Sequence, residues 1–436
     1  MRGSGLAWPV RWRDLVPIGA RWFWWSPVRY FLPVFLGIES ALVLDRGMPW
    51  RGEWAWTVDW PGSNVVILGP LLAGLAVWRT VSVRAGLSDS GEVMSPSGLA
   101  PLAELVGVIG WAWLAHGIAI ITALSLTWSV HPDGVPDLLP LLPQFVHLAG
   151  YAGLGALLGA LVPQPLMAPL TAITLLFAVT QFSAGHFPAL WVYVGGATSS
   201  LVGLSYNPQV VLAQLVLGGG LFLLAFVVRR GPVDGLRVLR SAAIACGVPL
   251  AVAALWLAEG PDQYVPVASA LEQSCMGEAP TVCVFEANRW AGPPLQHVFH
   301  ALAQAARAEG AADLPARFEQ SVPGQPTDPA VPTFVINSGS VTTTRADPWQ
   351  AAHYFVLDRR CLSADASPPG VSIGRLQLLA EYLVMKAGLA DAVPDPRLSD
   401  LMRSSPAHRA AWVVAALEAS RQCRFADVPT PPGVTP

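Results

Sequence analysis

Lysine is almost absent from this sequence, since Lys386 is the only lysine among 436 residues. A nucleotide-binding P-loop needs a lysine directly after a glycine, in the pattern GxxxxGK[ST], whereas Lys386 follows Val384 and Met385. Charged residues of all kinds make up only 13% of the chain, and the net charge is -3. We therefore expect no ATPase activity in this chain, and its charge gives no reason to expect a nucleic-acid partner.

Metal-binding motifs are also missing. The sequence contains no HExxH and no CxxC, so no zinc site is indicated. The start of the chain lacks a convincing secretory signal, because Pro9, Arg11 and Arg13 interrupt its short apolar stretch. We expect a protein that is not an enzyme and has no cofactor and no metal, with its first membrane span serving as an uncleaved signal.

The sequence contains several long apolar runs. Its mean hydropathy of +0.47 is too high for an ordinary soluble protein. Residues 241–258 contain no charge and would cover ~27 Å as a helix, close to the ~30 Å of a bilayer core. Arg237 and Arg240 precede this run, and Glu259 and Asp262 follow it, so the positive-inside rule places its start in the cytoplasm and its end outside. A helix buried in a soluble core is the alternative.

Six further apolar segments precede this run. They predict membrane spans at residues 30–44, 64–78, 102–127, 141–162, about 166–182 and 210–228. The expected fold class is a polytopic α-helical membrane protein with about seven transmembrane helices, followed by a small α+β soluble domain. We assign residues 1–28 to a cytoplasmic interfacial amphipathic segment, 29–230 to a six-helix membrane domain, 241–258 to the seventh helix and 260–436 to an extracytoplasmic domain.

Two loops assigned to the outside have unusual compositions. Residues 45–60 contain four tryptophans, which indicate an outer aromatic belt or a short interfacial helix. Residues 183–209 contain two short apolar pieces separated by Gly195 and Gly196. These pieces either dip into the outer leaflet and return, surrounded by protein, or form a small exposed loop with a hydrophobic cap.

Three ionisable residues fall inside the predicted spans, namely Glu39, His116 and His147. An ionised group at mid-bilayer costs ~2.5 to 3.5 kcal/mol on insertion scales, so each side chain should face protein or water. One interpretation is a proton or cation path. The other, which we favour, is a pair of neutral histidines hydrogen-bonded to neighbouring helices and a carboxylate that reaches toward the outer surface.

Four cysteines appear after residue 260: Cys275, Cys283, Cys361 and Cys423. Outside the cytoplasm an even set favours disulfides, and four cysteines allow three pairings. We prefer Cys275 with Cys283 and Cys361 with Cys423, because the first two flank a turn. A zinc site is the alternative, although the spacings do not fit one. Short strands are expected at residues 281–285 and 333–337, and helices at 295–308, 373–387 and 407–421.

Residues 1 to about 258 resemble the membrane subunits of ABC exporters of the type-two class, and specifically an actinobacterial set with an added outside domain. The resemblance lies in the order of the predicted membrane segments and in local residue patterns. In that family an interfacial helix precedes six spans, and residues 11–25 occupy the corresponding place in this sequence. A pair of short re-entrant helices lies outside the membrane between the fifth and sixth spans of the family, at the place of residues 183–209. Residues 78–101 resemble the first coupling segment, which makes ATPase-coupling candidates of Arg79, Arg84, Leu87, Ser88 and Glu92.

The resemblance implies a permease subunit of an ABC-type export system in the bacterial plasma membrane. It would move an unidentified substrate with energy from a separate ATP-binding subunit, and a second copy or a related permease would complete the path. The seventh helix and the outside domain depart from the six-span pattern. A membrane-anchored extracytoplasmic binding or sensor protein is the alternative function.

Overall fold

A computed structural model describes most of the chain. The described residues are 23–45, 48–89, 99–130, 132, 134–183, 189–228, 235–267, 272–322, 328, 331–342, 344–357, 361, 370–390 and 396–433. Most of the predicted interfacial segment lies outside them. Its last part, from Phe23, leads into a 3₁₀ helix at Pro27–Phe31, and the Phe23 ring stacks on Trp111 with centroids 4.4 Å apart.

The N-terminal part is a helix bundle. Its helices are α1 (Leu32–Val43), α2 (Trp54–Asp59), α3 (Gly62–Asp89), α4 (Leu99–Trp128), α5 (Leu141–Leu161), α6 (Met167–Ser183), α7 (Pro208–Val228) and α8 (Gly235–Ala258). Helix α3 packs against α4, α5 and α6, while α7 packs between α5 and α8. Small residues permit these close approaches: a side chain at Gly155 of α5 would overlap the backbone of Ala73 in α3, as its GxxxG pattern suggests.

Three helical stretches among the described residues are long and apolar enough to cross a membrane: Trp54–Val83, Leu105–Trp128 and Leu141–Leu161. Three shorter apolar helices are Met167–Gln181, Pro208–Leu223 and Gly247–Ala258. Large apolar side chains on the bundle surface are exposed, among them Ile121, Phe177 and Leu255. An apolar exterior of this kind is compatible with insertion into a bilayer.

Several helices and loops are hydrogen-bonded to one another at one end of the bundle, which we call the outer end. Arg51, before α2, donates from Nε to the Leu126 carbonyl near the end of α4, at 3.2 Å. Gln144 at the start of α5 donates to the Val58 carbonyl of α2 at 3.0 Å. The loop after α6 reaches the same place, because the Gly196 amide donates to the Asp59 carbonyl at 2.9 Å.

The C-terminal region also begins at the outer end. Strand β1 (Leu204–Tyr206), before α7, pairs antiparallel with β2 (Tyr264–Pro266), after α8. A four-stranded sheet follows, in the order β3 (Gln273–Met276), β4 (Thr281–Phe285), β5 (Arg317–Gln320) and β6 (Thr333–Phe334), with only the β3–β4 pair antiparallel. The described residues of this region also form five α-helices: α9 (Gly292–Ala308), α10 (Pro348–Val356), α11 (Gly370–Lys386), α12 (Pro396–Arg403) and α13 (Pro406–Arg421). This α+β region has a core that includes stacked Phe299 and Phe318 rings.

The predicted elements of this region are found with small shifts. Strand β4 has the predicted bounds, and α13 begins as expected after Ser405, whose hydroxyl accepts from the His408 amide at 3.3 Å. Strand β6 is shorter than predicted, because the chain leaves the sheet after Phe334. Its next residues pair with the loop after α6: the Ser200 amide donates to the Ile336 carbonyl at 2.8 Å.

The bundle and the C-terminal region share one hydrophobic core across the predicted division at residue 260. Trp50 and Trp56 are fully buried and lie in the same cluster as Phe299 and Leu302 of α9. The short helix among the four tryptophans exists as α2. These two rings, however, pack beneath the C-terminal region instead of forming an exposed aromatic belt, since burying large indole surfaces stabilises the junction.

Candidate functional site

A buried polar tetrad connects four helices near the outer end of the bundle. It consists of Glu39 from α1, Asn64 from α3, His116 from α4 and Gln144 from α5, and all four side chains are fully buried. His116 Nδ1 lies 2.8 Å from Glu39 Oε1, and His116 Nε2 lies 3.0 Å from Gln144 Oε1. The Asn64 amide donates to the second oxygen of Glu39. The tetrad therefore satisfies a carboxylate and an imidazole inside an apolar bundle.

Sequence reasoning singled out two of these four residues, Glu39 and His116, and also a second histidine, His147. His147 is buried in α5 but lies apart from the tetrad, with its Nδ1 3.0 Å from the Pro143 carbonyl of its own helix. Asn64 and Gln144 were missed. The available signal was their polarity, because each is an amide at the start of an apolar span, where a buried partner is needed.

Helix α2 lies over the tetrad, and we call it the lid helix. Its Val58 carbonyl accepts the hydrogen bond from Gln144, so the tetrad touches the lid helix directly. Val58 also packs with Ile120 and Leu141, which close the apolar layer between lid and bundle. The lid helix is in turn fastened by two buried carboxylates, Glu53 before it and Asp59 at its end.

Glu53 joins the lid helix to the loop after α6 and to the C-terminal region. Its carboxylate accepts from the Ser200 hydroxyl at 2.6 Å and from the Leu201 amide at 2.9 Å. Asn288 donates to the same Ser200 hydroxyl at 3.1 Å. Burial raises the pKa of Glu53 to about 7, although these hydrogen bonds act in the opposite direction. Three separate chain segments thus meet at one carboxyl group.

Asp59 fastens the other end of the lid helix to the two-stranded sheet. Its Oδ1 accepts from the Tyr264 hydroxyl of β2 at 2.8 Å and from the Tyr206 hydroxyl of β1. Its Oδ2 accepts from the Ala197 amide at 2.5 Å. Gly195 has a φ of 144° beside this contact, where a side chain would meet the Asp59 carbonyl, so glycine permits the close approach.

The loop after α6 differs from the pair of re-entrant helices that the resemblance implies. Its described residues contain one three-residue 3₁₀ turn, Ala189–Trp191, and strand β1. The other described residues of the loop are irregular in structure and are held by Glu53, Asp59 and the C-terminal region. An open groove of about 600 Å³ lies between this loop and β2, lined by Leu190, Tyr193, Thr198, Asp262 and Tyr264.

Four of the five predicted coupling residues lie at the opposite end of α3. Arg79 is part of the helix, and its guanidinium lies 5.4 Å from the centre of the Trp78 ring. The backbones of Arg84, Leu87 and Ser88 continue the helix as far as Asp89, whereas Glu92 lies outside the described residues. The predicted second span therefore extends as a helix into the segment that was assigned to coupling.

The four cysteines form the two preferred pairs. Cys275 and Cys283 face each other across the β3–β4 hairpin, with Cα atoms 4.0 Å apart. Cys361 and Cys423 join the chain after α10 to the end of α13, with Cα atoms 5.2 Å apart. In the part of the chain that the structure describes, no group of three histidine, cysteine or acidic side chains is placed to hold a metal ion.

Comparison with known proteins finds no relative: no family model matches the chain, and neither a curated protein nor a solved structure matches it.

Proposed function

We propose that the chain is the membrane-spanning permease subunit of an ABC-type exporter, which moves an unidentified substrate with energy from a separate ATPase subunit. The observation that carries this proposal is helix α3. Its 28 residues would extend ~42 Å, more than the ~30 Å of a bilayer core. One end holds Asn64 of the tetrad, and the other carries Arg79 and Arg84. A single continuous helix thus joins the buried polar site to the candidate docking end.

The proposed orientation has seven spans, the N-terminus in the cytoplasm and residues 260–436 outside the bacterial plasma membrane. Three observations support it. The ends of α1, α4, α6 and α8 gather on the side where the C-terminal region sits. Two disulfides lie in that region, as expected for an oxidising compartment. Arginines flank the opposite ends of α3 and α8.

A second copy of the chain, or a related permease, completes the transport path in this proposal. The tetrad is closed within one chain, so a path for a larger substrate would lie between two bundles. The exposed apolar surface of α6, which includes Leu170 and Ile173, provides a face for lipid or for such a partner.

A membrane-anchored extracytoplasmic binding or sensor protein is the second candidate function. The groove beside Tyr193 and Tyr264 favours it, because a pocket on a rigid support is the usual form of a small-molecule site. In that case the bundle would hold the outer region in place without any transport.

Co-purification tests the proposed function. The chain, extracted from its native membrane in mild detergent, is expected to carry a stoichiometric nucleotide-binding subunit that mass spectrometry identifies. The charge reversals Arg79→Glu and Arg84→Glu together should release that subunit, since they place acidic groups on the docking end. Arg289→Glu, an exposed change in the C-terminal region, serves as the control and should retain it. Absence of any nucleotide-binding subunit from the unaltered chain would contradict the transporter function and leave the anchored binding protein.

A further inference from the structure

We propose that Glu39 and His116 form a proton-binding site, which holds two protons while the lid helix is closed and releases one to water when the lid helix lifts. The protonation state follows from the contacts of the tetrad alone. The release step rests on the proposed transport function.

Gln144 determines the state of one imidazole nitrogen. Its side-chain nitrogen must point to the Val58 carbonyl, 3.0 Å away, because a carbonyl oxygen only accepts hydrogen bonds. The Gln144 oxygen therefore faces His116 Nε2 at 3.0 Å. An oxygen acceptor at this distance in a fully buried site requires a donor, so Nε2 carries a proton.

Glu39 determines the state of the other nitrogen. His116 Nδ1 lies 2.8 Å from Glu39 Oε1, a hydrogen-bond distance that requires one proton between the two atoms. Asn64 donates to the other oxygen of Glu39, and this contact stabilises the ionised carboxylate. The proton is therefore assigned to Nδ1, which makes the pair an imidazolium and a carboxylate with no net charge.

The groups around the Glu39–His116 pair carry no charge. They are the neutral amides of Asn64 in α3 and Gln144 in α5, and the Phe145 ring, whose centre lies 5.2 Å from that of His116. The carboxylate of the lid helix, Asp59, accepts hydrogen bonds from Tyr206 and Tyr264. Loss of a proton from this closed arrangement would cost much free energy, since it would leave a buried negative charge without a cationic partner.

The lid helix controls access to the pair. Lifting it would withdraw the Val58 carbonyl from Gln144 and admit water beside His116. The N–H bond at Nδ1 would then break, with its electron pair remaining on nitrogen and the proton leaving on a water molecule. The pair would change from zero charge to one negative charge. The C-terminal region is bonded to the lid helix directly, through Tyr264 and Asp59, and indirectly, through Asn288, Ser200 and Glu53. Movement of that region would therefore open or close the proton site.

Nitrogen NMR of the full chain in lipid nanodiscs tests the protonation state. All 8 histidines are labelled with ¹⁵N, and a His116→Gln variant identifies the signals of His116 by their loss. At about pH 7 both ring nitrogens of His116 should be protonated, because each of them faces an oxygen acceptor. A neutral ring with a single protonated nitrogen would overturn the proposal. The experiment needs no ATPase, so its outcome is independent of the proposed function.

Solvent exchange of the same ring protons tests the control by the lid. Asp59→Ala should speed exchange at His116 by about tenfold or more, because the lid helix opens more often. Tyr264→Phe removes one of the hydrogen bonds to Asp59 with little change of side-chain shape. It should increase the exchange rate at His116 by a smaller factor, and it replaces Asp59→Ala in the test if that variant folds poorly. Asp262→Ala, an exposed change beside β2, is the control. Equal exchange in Tyr264→Phe and the control would overturn the role of the lid helix.

Discussion

His116→Leu is expected to destabilise the protein by about 3 to 5 kcal/mol, because it leaves the Glu39 carboxylate buried without its cationic partner. Equilibrium unfolding in detergent micelles measures the free energy. His147→Leu is the matched control: this histidine is also buried in the bundle, but its Nδ1 bonds to the backbone carbonyl of Pro143 and not to a carboxylate, so its replacement should cost about 1 to 2 kcal/mol.

The double variant Glu39→Leu with His116→Leu distinguishes a charged pair from two independent polar residues. Replacing both members of a buried ion pair by apolar side chains of similar size is often close to neutral. The double variant should therefore recover most of the stability that His116→Leu loses. Additive losses from Glu39→Leu and His116→Leu would mean that the two side chains do not interact, which contradicts the tetrad.

Asp59→Ala is expected to detach the loop after α6 and the β1–β2 sheet from the lid helix. The change leaves two tyrosine hydroxyls and the Ala197 amide without an acceptor, and each such loss costs about 1 to 3 kcal/mol. Hydrogen exchange followed by mass spectrometry should show residues 192–206 and 262–267 exchanging about a hundredfold faster, because their local opening becomes easier.

The control for this change is Asp262→Ala, which removes an exposed carboxylate from the same neighbourhood. It should leave exchange in both segments unaltered. Unchanged protection of the amides against exchange in Asp59→Ala would show that other contacts hold the loop. It would contradict the role of Asp59 in attaching the loop to the lid helix.

Local features of this fold could be predicted from the sequence because their causes are local. The apolar runs gave the helices of the bundle, the Gly155 pattern indicated close packing, and Ser405 marked the start of α13. The two cysteine pairs followed from turn position and from the small number of pairings. Each of these inferences depends on residues that are neighbours in the chain or on simple counting.

The candidate site could be predicted only in part because its contacts join distant segments. Glu53 and Asp59 read as ordinary loop carboxylates, and nothing near them in sequence indicates partners about 140 residues later at Ala197 and Ser200. The same is true of Trp56, whose indole donates to the Ala197 carbonyl at 2.8 Å. The tryptophan-rich loop therefore suggested a membrane interface, whereas its buried rings belong to the junction with the C-terminal region.

The position of the C-terminal region relative to the membrane is the point on which the whole account depends. Two reporters fused separately after Pro436 measure it in living cells: alkaline phosphatase, which is active only outside the cytoplasm, and green fluorescent protein, which fluoresces only inside it. Fusions after Arg230, at the end of the predicted six-span part, provide the opposite control. The account predicts an active phosphatase and no fluorescence at Pro436, with the reverse at Arg230. Fluorescence without phosphatase activity at Pro436 would contradict it.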